Sequence, residues 1–317
     1  MTLTRIRVRK LGLILSAPFR PIFRPSFVRR LGIFLAALFI CSISIKVFAR
    51  SYDDIKASGY IDVAVYQNFP PYSYTDDKGD AIGIDVDIAK LLAKEIGVEV
   101  RWLWMHSDET VEDDLRNAIW KGRKIDRRKA DIMMRIPYDR KFAHGVDGYG
   151  LPRNEFVVMF APYHAERWSI ARNLEKVGTD RNLAIFRFEK IGVEIDSLPD
   201  SFLLSAHRGV LRKNVIHFAS IPLAAQALIN GDVAAIVGMH SQVVWSLGEH
   251  AANFDIDDDG LAAMASKPWS IGMATGHEFR QLSYALEEII ERLIGDGTLP
   301  KIFTNYGLDY IAPEQYQ

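Results

Sequence analysis

The stretch Ile61–Ala93 constrains the fold of this chain most strongly. It begins with an alternating apolar run, Ile61-Asp-Val63-Ala-Val65, the period-two pattern of a strand. An aromatic loop follows, Phe69-Pro-Pro-Tyr72-Ser-Tyr74, broken by the turn sequence Asp76-Asp-Lys-Gly79. From about Asp85 the spacing predicts an amphipathic helix with Ile88, Leu91, Leu92 and Ile96 on one face. A strand that runs into a ring-bearing loop and then a helix sets those rings at the carboxyl edge of a sheet. Open α/β folds bind their ligands at that edge.

Two motifs in this stretch carry a resemblance: Asn68-Phe-Pro-Pro-Tyr72-Ser-Tyr74 and Gly83-Ile-Asp85-Val-Asp87-Ile-Ala89. They resemble the start of family 3 periplasmic solute-binding proteins, the amino-acid-type receptors of ABC importers. The C-terminal run Asp296-Gly-Thr-Leu-Pro-Lys-Ile-Phe-Thr-Asn-Tyr-Gly307 is similar to the closing segment of that family. The resemblance covers about residues 58–309. It implies an α/β, two-lobe periplasmic-binding-protein-like (type II) fold with two hinge strands. Residues 50–155 and 274–317 would form lobe 1 and 161–268 lobe 2, with hinge strands at 156–160 and 269–273. The ligand would lie in the cleft, sequestered by hinge closure.

The N-terminus is basic at Arg5, Arg7, Arg9, Lys10, Arg20, Arg24, Arg29 and Arg30, ahead of an apolar run from Leu31 to Ile45. A charged region, an apolar region and a small-residue site ending at Ala49 read as a secretory signal peptide over residues 1–49. The apolar run is about 15 residues, short of the roughly 20 a helical span needs. The signal is therefore the only membrane association expected, and the expected location is the periplasm. The single cysteine, Cys41, leaves with the signal. The remaining chain then has no disulfide, no thiolate nucleophile and no cysteine-based metal site. A formal net charge of −1 gives no global electrostatic case for nucleic acid.

Downstream, strand and helix patterns alternate. Val98–Trp104 and Ala130–Met134 read as strands around a helix, Asp108–Trp120, with Val111, Leu115 and Ile119 inward. This alternation implies parallel βαβ units. Phe156–Phe160 and Trp269–Met273 are extended apolar strands that the resemblance makes the hinges. Between them lie strands at Ile191–Glu194, Val215–Phe218 and Val233–Val237 and a helix at Ile221–Ile229. Ser197-Leu-Pro-Asp200 resembles a capping box opening another helix, and Glu278–Ile294 is helical.

For the ligand site, the resemblance aligns Arg140 with the arginine that forks onto a ligand carboxylate. On the residues alone, Arg140 either faces the same edge as Tyr72 or is a surface arginine paired with Asp139 or Asp147. The family's two hydroxyl positions are Arg135 and Pro137 here. Pro137 loses a hydroxyl and a backbone donor, and Arg135 adds a second cation. The run Ala234-Ala-Ile-Val-Gly-Met239 lacks the aspartates that take a ligand ammonium in the family, with Asp232 the substitute if the alignment shifts. Tyr72, fixed after two prolines, is the leading ring candidate. Phe69 and Tyr74 accompany it, and Trp104 is expected in the core. Asp85 and Asp87 read as helix-start carboxylates. Ser197 either caps its helix or offers a hydroxyl and helix amides to an anion.

Other chemistry finds no constellation. Asp255-Ile-Asp-Asp-Asp-Gly260 opens like a calcium loop, but Ser266 stands where the bidentate acid belongs, so a solvated acidic loop is expected. The eight histidines are scattered. No metal, no cofactor and no enzyme activity is expected. The reading is a periplasmic solute-binding protein that closes on a small organic solute, other than an ordinary α-amino acid, and delivers it to an ABC permease. The alternative is an accessory protein of a periplasmic quinoprotein (methanol-type) dehydrogenase. It follows because Asp114–Gly122 and Ala130–Arg140 look like a subgroup that accompanies such enzymes, and Pro137 and the missing aspartates suit it.

Overall fold

The computed structural model describes residues 50–317 except 180, 259, 260, 262, 263, 265 and 266. The signal-peptide expectation for 1–49 and the acidic-loop positions Asp259, Gly260 and Ser266 lie outside the described residues. In chain order the strands are β1 (Tyr60–Tyr66), β2 (Tyr74–Thr75), β3 (Ala81–Ile82), β4 (Glu99–Met105), β5 (Ile132–Pro137) and β6 (Val157–Glu166). They continue as β7 (Trp168–Arg172), β8 (Ile191–Glu194), β9 (Val215–Phe218), β10 (Ala235–Met239), β11 (Asp255–Asp257) and β12 (Trp269–Gly276).

They form two five-stranded sheets, a type II binding-protein architecture of two α/β lobes. The first sheet has the order β4-β1-β5-β12-β6 and draws on both ends of the chain. The second, β11-β7-β10-β8-β9, comes from the middle. In the first sheet β1 is parallel to both β4 and β5, whereas β12 runs antiparallel between β5 and β6. The small hairpin β2–β3 carries the turn after the aromatic loop.

Both faces of the first sheet are covered. Ile84, Ile88 and Leu92 of the helix Ile84–Glu95 pack on one face together with Leu286, Ile290 and Phe303 of the C-terminal helices. Leu115, Ala118 and Ile119 cover the other face. This second layer explains a departure from the alternation in β1. Asp62 is not solvated but buried, with Arg101 donating to it from Nε at 3.0 Å and Nη2 at 2.8 Å. A buried carboxylate is tolerated there because it is forked by a guanidinium. The helix expected over 108–120 is α-helical at Val111–Leu115 and widens to a π turn at Arg116–Trp120.

In the second sheet, the stretch expected as a solvated acidic loop supplies an edge strand. Asp255–Asp257 pairs antiparallel with β7, and the Asp257 carboxylate takes Nη1 of the fully buried Arg172 at 2.7 Å. The acidic residues neutralise a buried cation, so their charge does not mark exposure.

The first sheet is irregular at one level across three strands. Between the pairs Met133–Ala274 and Ile136–Gly272, β5 carries both Met134 and Arg135, and Arg135 has φ 65°. Between Phe160–Met273 and His164–Ile271, β6 carries Ala161, Pro162 and Tyr163, and Ala161 has φ 47°. These are β-bulges, which bend a strand and re-aim its side chains. Gly272 lies between them, and a Cβ on it would stand 2.7 Å from the Phe160 carbonyl oxygen. Gly272→Ala is expected to lower stability by about 1–3 kcal/mol through this overpacking, measured by urea unfolding. An unchanged midpoint would mean that the β6 bulge is not held by this contact.

Candidate functional site

The bulge in β5 turns Arg135 inward, between the lobes. Its guanidinium carbon lies 3.1 Å from the centroid of the Tyr72 ring and 5.5 Å from that of Phe69. Its Nη2 is 3.5 Å from Oε2 of Glu166 and 3.8 Å from Sδ of Met239. Nη1 is buried with no hydrogen-bond partner among the described residues. Tyr72 is fully buried, its hydroxyl donates to Glu166 Oε2, and its ring stacks on Phe69 at 5.8 Å and 26°. Glu166 is the last residue of β6 and is fully buried. Its Oε1 accepts the Arg167 N–H at 3.0 Å and the Ser241 N–H at 3.4 Å.

Ser241 belongs to the helix His240–Leu247 of the second lobe, and this helix closes the site from the other side. Gln242 Nε2 donates to the Pro70 carbonyl at 3.2 Å, and Trp245 meets Tyr74 edge-on at 5.8 Å. Tyr163, beside the β6 bulge, donates to Asp85 Oδ1 at 2.8 Å. The result is a buried interlobe cluster with one guanidinium, two carboxylates and two phenols.

Electrostatics keeps its central pair charged. Burial opposes ionisation of Glu166, but its neighbours His164 and Arg135 and its hydrogen bonds outweigh it and hold the carboxyl below its usual range. Burial likewise opposes the charge on Arg135, and the oxygens of Tyr72, Asp85, Tyr163 and Glu166 outweigh it, so its pKa is raised. Burial pushes His164 down to about 4. At neutral pH that ring is therefore uncharged, and the counter-charge of Glu166 is Arg135. Burial pushes Asp85 up, against the pull of Arg135 and the Tyr163 hydroxyl.

The structure brings Arg135, Tyr72 and Phe69 together and sets Tyr74 at the edge, against Trp245. It places the other two expected residues elsewhere. Arg140 is exposed at the start of the short helix Arg140–Ala143 and lines a separate pocket with His144, Met159, His277 and Arg280. The ring edge of Tyr72 and Arg140 do not share a face, because the bulge lies between β5's core and its end. Ser197 uses its hydroxyl locally, accepting from the Asp200 N–H at 3.2 Å and donating to the Glu194 carbonyl at 2.6 Å. Trp104 is half-buried and tilts against Trp102.

Sequence reasoning missed Glu166, His164, Tyr163 and Ser241. The signal for the first was a lone acid ending the apolar run Val157–Glu166, a strand that reads as finished at Phe160 when the bulge is not foreseen. The position where the resemblance seeks a terminal aspartate is Met239, whose sulfur meets Arg135 instead.

The family model of bacterial extracellular solute-binding proteins, family 3, matches residues 61–309. Cyclohexadienyl dehydratase of Pseudomonas aeruginosa is 31% identical over 121 residues, 37% of this chain and 45% of that protein. The arginine-binding periplasmic protein of Mannheimia haemolytica is 26% identical over 180 residues, 56% of this chain and 62% of that protein. The chain thus spans less than two thirds of the length of either curated relative. Among solved structures, an ancestral cationic amino acid solute-binding protein superposes with a TM-score of 0.62 at 19% identity, covering 80% of this chain and 98% of the other. This likeness shows the shared two-lobe fold.

These relatives overturn the expectation of a solute other than an ordinary α-amino acid. The curated relative from Mannheimia haemolytica is named for arginine binding. The reason given was that no anion remained, and the structure places the buried carboxylate of Glu166 in the interlobe cluster. The dehydrogenase-accessory alternative has no counterpart among the relatives described.

The lowered pKa of His164 has a consequence for stability. As pH falls from 6.5 to about 4 the unfolded chain takes up a proton that the folded chain refuses, so stability is lost across that window. His164→Phe, packed against Phe303, is expected to flatten the dependence of the urea midpoint on pH between 6.5 and 4. An unchanged slope would show that His164 titrates normally in the folded chain.

Proposed function

From the premise that the chain belongs to the bacterial extracellular solute-binding proteins, family 3, we propose that it is a periplasmic receptor for an amino-acid-like zwitterion, which it presents to an ABC permease. The observation that carries the reading is the buried Arg135–Glu166 pair between the lobes. When the lobes part, the two charges are uncovered together. A ligand carboxylate then takes the Arg135 fork, including the Nη1 that has no partner now, and a ligand ammonium takes Glu166. The rings of Tyr72 and Phe69 flank the ligand's body, and Tyr74 lies at the rim.

Re-closure keeps every buried charge matched, because an ion pair within the chain is exchanged for two pairs with the ligand. A ligand with only one of the two charges leaves the other partner buried and uncompensated, a cost of about 3–5 kcal/mol. Selectivity for zwitterions follows from that penalty. The family premise agrees with a binding protein that performs no chemistry. The finer assignment to a dehydrogenase-associated subgroup rests on sequence resemblance alone and forms no part of the proposal.

The test is thermal unfolding of the full chain with each of the twenty L-amino acids and, for the best of them, its decarboxylated amine and its deaminated acid. A ligand at a hundred times its dissociation constant adds about 2.7 kcal/mol. At least one amino acid is expected to raise the midpoint, and neither single-charge analogue is. The rise should vanish in Glu166→Gln. Because that variant strands Arg135, the double variant Arg135→Met/Glu166→Gln is the folded control, expected to be less destabilised than the single one. A shift by the amine or the acid equal to that of the amino acid would sink the reading, as would no shift from any amino acid.

A further inference from the structure

A second site lies on the first lobe, apart from the interlobe cluster. A pocket of about 590 Å³ opens between the helix Arg140–Ala143, the start of β6 and the helix Arg280–Gly295. That volume falls within the range of small-molecule sites. Its lining shares no residue with the Arg135 cluster. Val157, Met159 and Tyr138 give it an apolar wall, and Arg140 and Arg280 enter it from two different elements. Neither guanidinium makes an ion pair or a side-chain hydrogen bond with another described residue.

No carboxylate of a described residue lies within ion-pairing distance of either guanidinium, although Asp139 and Glu155 also line the pocket. Asp139 lines the pocket, but its Oδ1 caps its own helix, accepting the N–H groups of Lys141 at 2.7 Å and Phe142 at 3.1 Å. Asp147 accepts the N–H groups of Tyr149 at 2.8 Å and Leu151 at 3.0 Å. Glu155 is exposed on the rim and pairs with neither arginine. His144 and His277 add ring N–H donors to the wall.

We infer that this pocket binds an organic carboxylate with an apolar body. The anion lies between Arg140 and Arg280, and the body lies against Met159 and Val157. Guanidinium is suited to this because its fork matches the two oxygens of a carboxylate. The apolar wall distinguishes such a ligand from a small inorganic anion. The site is independent of the amino-acid reading of the cleft.

Methionine methyl groups separate the two sites, since Met159 lines this pocket and Met239 touches Arg135. The full chain, labelled with carbon-13 at the methionine methyls and assigned through Met159→Leu and Met239→Leu, is titrated with benzoate, acetate and benzamide. Benzoate is expected to move the Met159 signal saturably and leave Met239 in place. Benzamide and acetate should bind at least about tenfold more weakly, since each lacks either the charge or the body. Arg140→Gln/Arg280→Gln should weaken benzoate by about tenfold or more, with an unmoved Met239 signal reporting an intact fold. The inference is overturned if Met159 does not respond, if benzamide matches benzoate, or if the double variant binds benzoate unchanged. A response at Met239 alone would place the carboxylate in the cleft and equally overturn it.

Discussion

The buried contact between Arg135 on β5 and Glu166 on β6 is the interaction around which the interlobe cluster is built. Both groups are buried and both remain charged, so each is tolerable only in the presence of the other. The pair gathers contributions from four places in the chain: the β5 bulge, the aromatic loop, the end of β6 and the first turn of the helix His240–Leu247. The second-lobe helix enters through the backbone N–H of Ser241 on Glu166, and through Gln242 on the Pro70 carbonyl. The second lobe thus covers an ion pair whose two members both stand on the first sheet.

This arrangement has a cost, and the cost is local. A non-glycine residue held at positive φ is strained by about 1–3 kcal/mol, and such residues cluster where function needs them. Arg135 and Ala161 carry that conformation in the two strands that flank β12, on either side of a glycine that admits no side chain. The strain turns a strand residue that would otherwise face the sheet's neighbours into the space between the lobes. The covered, regular remainder of the first sheet, with its helices on both faces, is what holds the irregularity in place.

Much of the fold was legible in the sequence because its signals are local. The alternation of Ile61–Val65, the amphipathic spacing after Asp85 and the cap at Ser197 each act within one or two turns, and the corresponding elements appear where they were expected. The site was legible only in part. Tyr72, Phe69 and Arg135 were recognisable by residue type. Arg140, five positions on, carries the same charge but lies beyond β5 in a short helix, whereas Arg135 sits in the β5 bulge. Glu166 meets Tyr72 across 94 positions, and no periodicity encodes such a partner. Acidic residues misled twice: Asp62 is itself buried beneath the half-exposed Arg101, and Asp257 serves the buried Arg172, so their charge did not report solvent. The lost aspartates likewise suggested an absent anion, whereas a buried carboxylate, Glu166, stands on another strand.

The most direct test is a crystal structure of the full chain grown with the amino acid that most raises its unfolding temperature. The account predicts that the ligand carboxylate sits on the Arg135 guanidinium and its ammonium on Glu166, with the hydrogen bond from Tyr72 to Glu166 displaced. An intact Arg135–Glu166 pair, with the amino acid bound anywhere else on the protein, would contradict it.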